Sequence, residues 1–581
     1  MKNAGRNLRL AKASALILAG AFIAVFAATL SVRGASGRAA FRPEERFEGC
    51  TNILVGREAT ADGSTIGTYS CDGPPYGAVQ ALPGERFPGG ALTTIYENKE
   101  PRSLEEYLAS TGRFKAMGTI PQELETYPYI NQECGFDHEP CGGANRYGVT
   151  TGESTIGGRR ELRNSKGMIW VYSNSKNNSL LALALQRAKT AREAIRVMGS
   201  LAEKYGYAQT GEHVTVTDGR EVWAFEIFGP GADWIPGSGR PGAVWCAERI
   251  PDGHVGVCAN RSRIGEINLK NSDFFLASPN VYTLATEKGW WDPKSGRPFI
   301  WSEAYAKSES PQRGSLIREW RILSLVAPSL KLSLDGANLP FSVKPDKPLS
   351  VQDVIALHRD VLKGTPYDPT EKPAFYLGTG ESRQKSPMAC PFGPPALHRL
   401  LGVSSERLVG TDTSCFVSIA QVRSGLPDPV KACVWFTLGP AWSGCFVPIY
   451  SGCSELAKSW AGNNPARIVR GEAMWALKLT HELSYINYQN AARDIEGVRD
   501  AAEARFFARQ KDFETSAIGF LRSRGEAAAR QLATRYTCEA MDAVAEGYWN
   551  LVDYLLFTYY FRSSSRAPQK PPAIPPVKIN S

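Results

Sequence analysis

The stretch Cys50-Thr-Asn-Ile-Leu-Val-Gly-Arg-Glu-Ala-Thr-Ala-Asp-Gly-Ser-Thr65 decides how the rest of the chain is read. Thr51 to Val55 and Ser64 to Tyr69 are β-prone runs flanking Asp62-Gly63, so they predict a hairpin whose first strand starts at Cys50. A thiol at the head of a strand, behind Gly49 and a short polar segment from Phe41, has a specific chemical meaning. Cutting the Gly49–Cys50 bond gives one residue both a thiol and a free α-amine. Such an amine has a reference pKa of about 7.7 to 8.0, so near neutrality it can accept the thiol proton without a histidine. Gly49 suits that cut because it has no side chain to obstruct attack by the Cys50 sulfur on the preceding carbonyl. The plain alternative for any one cysteine is a small buried hydrophobe or half of a disulfide.

Upstream, Lys2, Arg6, Arg9 and Lys12 precede an apolar run from Ala13 to Val32, and no acidic residue occurs before Glu44. With small residues at Ala35, Ser36, Ala39 and Ala40, residues 1–40 predict a secretory signal. The apolar run is also long enough to remain as a membrane anchor. Both readings place the protein outside the cytoplasm: periplasmic, extracellular or anchored facing outward. Cys50 as a lipidation site fits poorly, because Glu48 is charged and the apolar segment ends well before it.

The formal charge of the 581 residues is +9. Residues 1–49 hold eight Lys/Arg against three Asp/Glu, or +5, leaving +4 for the remainder. That is a weak footprint for nucleic-acid binding, and no basic run with interleaved aromatics concentrates it. Twelve cysteines imply pairing in an oxidising compartment. Cys134 with Cys141, Cys246 with Cys258, and Cys445 with Cys453 are near enough in sequence for disulfides, without spacing fixing connectivity. No CxxC pair and no HExxH occurs, so a metal centre has little support and no cofactor is expected. A GxSxG elbow, a phosphate loop and a dinucleotide fingerprint are likewise missing from the sequence.

Further strands are predicted at 148–151, 168–172, 213–217, 222–228, 244–247 and 255–259, with a helical segment over 179–205, giving an α+β layered fold. Residues 270–345 give no clear pattern. A second β-rich section spans 415–450. Residues 466–567 carry no proline and predict long helices, while 563–581, rich in Ser, Pro and Lys, predict a disordered tail.

The Cys50 stretch resembles the opening of the cysteine dipeptidases of the N-terminal nucleophile (Ntn) hydrolases, to which penicillin V acylases, bile salt hydrolases and secernins are more distant relatives. Colinear matches follow at Asn145-Arg-Tyr-Gly-Val with Glu153, Ala202-Glu-Lys-Tyr-Gly-Tyr, Glu221-Val-Trp-Ala-Phe-Glu-Ile, Gly242-Ala-Val-Trp, Arg249-Ile-Pro-Asp-Gly, Ala259-Asn-Arg-Ser-Arg-Ile and Gly364-Thr-Pro-Tyr-Asp. The resemblance covers roughly residues 50–455, and weaker similarity reaches Asn464-Pro-Ala-Arg. It implies a four-layer αββα sandwich, extended here by a helical region at 456–562, with 41–49 as a short propeptide. It also implies hydrolysis of dipeptides through an acyl-enzyme on Cys50.

Residue by residue, the resemblance makes Asp72 a holder of the Cys50 α-amine, Asn145 a member of the catalytic set, Asn260 an amide donor to the oxyanion and Arg261 a partner for a substrate carboxylate. Each has a structural alternative. Asp72 and Asn145 fit turns, Asn260 fits a strand end, Arg261 fits a surface charge, and Glu153, read as a solvated charge, stays outside the set. Where many relatives carry an arginine, this chain has Tyr69, which puts efficiency and substrate in question. An amidase acting on N-acyl amides and a catalytically degenerate cell-surface binding or structural protein therefore stand beside the dipeptidase. Dipeptide side-chain preference and oligomeric state are left open.

Overall fold

The predicted hairpin forms: β1 (Gly49–Val55) pairs antiparallel with β2 (Thr65–Asp72), placing Cys50 opposite Cys71 and Gly49 opposite Asp72. A computed structural model describes residues 49–581 apart from 74–75, 98–114, 136–138, 172–178, 210, 308–311, 336–337, 394, 404–405, 463–466, 562–569 and 578–581. The predicted leader and propeptide, residues 1–48, lie outside the described residues. Residues from 49 onward belong to one compact unit.

Chain order continues with β3 (Gly77–Leu82), β4 (Tyr129–Cys134), β5 (Glu139–Asn145), β6 (Thr150–Thr155), β7 (Gly211–Thr217), β8 (Val222–Phe228), β9 (Val244–Arg249), β10 (Val255–Cys258) and β11 (Phe275–Ala277). It closes with β12 (Ser342–Val343), β13 (Ser414–Val422), β14 (Ala432–Leu438) and β15 (Val447–Tyr450). Two antiparallel sheets result, ordered β12-β10-β1-β2-β13-β14-β15 and β11-β9-β8-β7-β6-β5-β4-β3. The nucleophile strand is thus interior to its sheet, and the late β-rich section returns to that same sheet beside β2.

Where the sheets face one another near Cys50, the contact is close and polar. Asn52 Nδ2 donates to Gly152 O and Thr215 Oγ1, each at 3.1 Å, and Gln132 Nε2 donates to Ser418 Oγ at 2.6 Å. Gly152 makes the approach possible, since a Cβ there would stand 2.7 Å from Tyr69 Cβ.

On the outer face of the second sheet lie α1 (Leu180–Arg187) and α2 (Ala191–Tyr205), in place of the single helical segment predicted at 179–205. The break falls at 188–190 because Thr190 acts as N-cap, its Oγ1 accepting from Glu193 N at 3.2 Å. From α2, Ile195, Met198 and Ala202 join Val214, Trp223 and Phe225 in one core.

The outer face of the first sheet is covered by α3 (Arg313–Val326), α4 (Val351–His358), α5 (Ala473–Ser484), α6 (Tyr488–Arg524) and α7 (Glu526–Leu555). The architecture is the four-layer αββα sandwich. The C-terminal helices do not stand apart from it: Leu477, Phe506 and Val544 share a core with Val417 and Trp435. Among the described residues no helix is long and apolar enough to cross a membrane.

Three local expectations are corrected. The 168–172 strand is only a single bridge from Ile169 to Tyr207, with Tyr172 outside the described residues. Of the three candidate disulfides only Cys134–Cys141 forms; Cys246, Cys258, Cys445 and Cys453 are buried free thiols, seated as small apolar side chains. The disordered tail is not wholly so, because residues 570–577 dock on the helices. Ile574 and Val577 are buried, and their carbonyls accept from Arg505 at 2.7 Å and Arg509 at 2.5 Å. Prolines around Ile574 restrict the free segment and lower the entropy lost on docking. Truncating Ile574 to Ala is expected to destabilise the protein by about 2–5 kcal/mol, read as a lowered denaturation midpoint; an unshifted midpoint contradicts the docking.

Candidate active site

Cys50 is 5% exposed, and its immediate surroundings are built by four separate parts of the chain. Its backbone nitrogen donates to Asn260 Oδ1 at 2.8 Å. Its carbonyl accepts from Arg318 Nη1 at 2.7 Å. Its sulfur lies 3.5 Å from Glu153 Oε1 and 3.9 Å from the Tyr69 hydroxyl. Tyr69 in turn donates to Glu153 Oε1 at 2.5 Å.

Arg318, on α3, ties these parts together. Besides Cys50 O, it donates to Thr51 Oγ1 at 2.9 Å, Ala259 O at 3.1 Å and Asn260 Oδ1 at 2.9 Å, while its Nε bonds Gly314 O within its own helix. One planar guanidinium thereby fixes the head of β1 and the loop after β10 against each other. Burial, joined by the like charge of Arg407, pulls the Arg318 guanidinium down to about 9.

Asn260 adopts a left-handed backbone, φ 63°, which asparagine tolerates better than most residues. Its nitrogen Nδ2 donates to Thr155 O at 2.9 Å. The amide expected to serve the oxyanion is therefore engaged by a carbonyl, and Asn260 instead presents its oxygen to the Cys50 nitrogen. Gly49, at φ 144°, runs directly beneath that amide, and any Cβ at this position would collide with Asn260 Oδ1. The glycine before the nucleophile is thus also required by the anchor of the nucleophile's nitrogen.

Asp72 ends β2 and is buried. Its carboxylate is held by Arg407 and by Ser414 Oγ, the latter at 2.7 Å, and the expected hold on the Cys50 nitrogen comes from Asn260 instead. Burial pushes the Asp72 carboxyl up, with Arg407 pulling the other way.

Asn145 turns out to be structural. Its Nδ2 donates to Leu185 O at 2.8 Å and Ala188 O at 2.7 Å, and its Oδ1 accepts from Tyr147 N and Val149 N. All four bonds go to backbone, closing the β5–β6 turn and capping the C-terminal end of α1. Arg261 does not present a free guanidinium to a substrate: Nε and Nη2 both bond Glu319 Oε2, although the side chain remains partly exposed on the wall of a cleft.

Three groups join the site that the sequence reading left out or set aside. Arg318 and Arg407 lie in segments without a recognised motif. Glu153 stood inside a matched stretch and was read as a solvated charge, yet it is buried against the nucleophile. It is buried because β6 is an interior strand of its sheet and the nucleophile's sheet packs across it.

The Glu153 carboxyl also meets Glu212 of β7, and burial raises both, Glu212 the further, its rise reinforced by Glu153. The Cys50 thiol is held well above its ordinary range, foremost by its hydrogen bond with Cys71, then by burial and the Glu153 charge. Cys71 is itself within 4.8 Å of both sulfurs of the Cys134–Cys141 disulfide. Each of these neighbours holds the thiol in its protonated form.

Comparison with known proteins matches residues 49–501 to the model of peptidase family C69. The chain belongs to peptidase family C69. The match starts at the Gly49–Cys50 junction. Among curated relatives of this C69 peptidase, a probable dipeptidase of Latilactobacillus sakei is 23% identical over 86% of this chain and 94% of its own length. Dipeptidase A of Lactobacillus helveticus is 22% identical over 76% and 82%. Of solved structures, a mutant conjugated bile acid hydrolase from Clostridium perfringens is 11% identical over 67% of this chain and 89% of its own, with a TM-score of 0.22.

Two substitutions separate the roles assigned to the asparagines. Asn260→Ala is expected to lower kcat roughly 10²-fold by loosening the nucleophile, and to cost about 1–3 kcal/mol of stability because the Cys50 nitrogen and buried Arg318 both lose an acceptor. Asn145→Ala is expected to cost about 1–3 kcal/mol of stability while the folded enzyme keeps its kcat/KM; the reverse pattern contradicts the assignment.

The carboxyl pair makes a prediction with a definite sign. Because burial raises Glu212 in the folded protein, the unfolded chain gives up that proton first, and the contribution to stability falls as pH rises through the folded value. Glu212→Gln removes this dependence. Its denaturation midpoint is expected to gain on the wild type between pH 5 and pH 8, and a constant gap would contradict the raised carboxyl.

Proposed function

We propose that this chain is an exported cysteine dipeptidase that works through an acyl-enzyme on Cys50 after cleavage of the Gly49–Cys50 bond. The observation that carries the reading is the 2.8 Å hydrogen bond from the Cys50 nitrogen to Asn260 Oδ1: the atom that cleavage would free already has its acceptor. Dipeptidase relatives spanning most of the chain support the substrate class. Export rests on the basic start and apolar run of residues 1–40. The ten unpaired cysteines depart from the pairing expected of an exported chain; nine of them are buried.

In this scheme the α-amine takes the Cys50 thiol proton, and the thiolate adds to the peptide carbonyl. The tetrahedral species collapses as the amine returns the proton to the leaving nitrogen, releasing the C-terminal amino acid. Water, deprotonated by the same amine, then hydrolyses the thioester and restores the thiol. Asn260 holds the amine, with Arg318 holding Asn260, so that the lone pair stays directed at sulfur. The Glu153–Tyr69 pair occupies the other side of the sulfur and keeps it in a polar, water-poor setting.

The test is turnover of a dipeptide panel and an N-acyl amide panel by the wild type and by Cys50→Ala. Dipeptide hydrolysis is expected, lost with the sulfur, along with a thioester adduct visible by mass in a rapid quench. Turnover confined to the acyl amides would replace the dipeptidase with an amidase. Turnover of neither class would favour the binding or structural protein.

A further inference from the structure

Directly after Asn260, Arg261 and Ser262 turn into the wall of an open cleft of about 580 Å³, a size suited to a small ligand. Its other wall begins with Arg159, four residues beyond the Thr155 carbonyl that Asn260 Nδ2 engages. The cleft wall thus begins one residue from Asn260, the group that anchors the nucleophile's nitrogen.

The lining is strongly cationic. Among the described residues, Arg159, Arg261, Arg297 and Lys307 face it, and Glu303 is the acid. Arg159 is locked in place: its guanidinium bonds Ala304 O and Glu303 O and lies 4.8 Å over the Trp290 ring. Arg261 shares the buried carboxylate of Glu319 with Arg263. Arg297 and Lys307 are exposed and meet no carboxylate partner among the described residues. Fixed cations inside a concavity focus potential, and arginine matches carboxylate geometry.

We propose that this cleft receives the C-terminal residue of the dipeptide and selects aspartate or glutamate there, its two carboxylates meeting the cationic walls. The inference rests on the dipeptidase reading and adds the substrate class. An acidic leaving residue brings two negative charges to a lining in which, among the described residues, basic side chains outnumber acidic ones. A neutral residue brings one, and a basic side chain opposes the field. Arg297 and Lys307 supply attraction without forming part of the fold, while Arg159 and Arg261 shape the walls.

The matched peptides Ala-Glu, Ala-Gln and Ala-Lys test this with the protein in its mature form. The wild type is expected to show kcat/KM at least about tenfold higher for Ala-Glu than for Ala-Gln, equivalent to one desolvated charge contact, with Ala-Lys slowest. Added salt should narrow the gap. The double variant Arg297→Glu/Lys307→Glu, confined to exposed positions, is expected to lose the preference through a higher KM for Ala-Glu and to favour Ala-Lys. Equal rates on the three peptides, or a preference that survives charge reversal, would overturn the cleft's role while leaving the dipeptidase standing. Failure to hydrolyse any of the three alongside turnover of N-acyl amides would overturn both.

Discussion

The site depends on one buried cation. Arg318 spends its guanidinium on the Cys50 carbonyl, Thr51, the Ala259 carbonyl and Asn260, and so clamps the head of a strand to the end of its neighbour. A charge at this depth is tolerated only when its donors are met, and its pull to about 9 records the cost of burial. The return is position: Asn260 cannot rotate away from the Cys50 nitrogen without abandoning the clamp. The four-layer fold supplies what the clamp needs, because α3 lies across the first sheet where β1 and β10 run side by side.

The clamp holds the nitrogen, while the sulfur sits among groups that keep it protonated. Cys71, Glu153 and burial all act against a thiolate, and the carboxyl pair of Glu153 and Glu212 adds negative charge on that side. Such surroundings suit a nucleophile that should remain inert until its own residue provides a base. Tyr69 belongs to the same logic. Its neutral hydroxyl donates to the same Glu153 oxygen that faces the sulfur.

The hairpin that opens the fold was legible because its two strands and Asp62-Gly63 are contiguous, and Cys50 stood out at the strand's head. The helices of 466–567 were legible from composition and the lack of proline. Arg318 and Arg407 were not, since single arginines gain meaning only from what the tertiary fold brings to them. Asn145 shows the opposite failure: a matched motif pointed to catalysis, but four backbone bonds make it a turn and helix cap. Ile574 and Val577 were hidden in a proline-rich stretch whose composition favours disorder, and only the groove along α6 and α7 reveals their use.

All of this converges on the state of a single nitrogen. Determination of the N-terminal residue of the catalytically active protein, by sequencing and intact mass, measures that state directly. The account requires the active chain to begin at Cys50 with an unblocked amine. An active chain that still carries Gly49 in peptide linkage would contradict it.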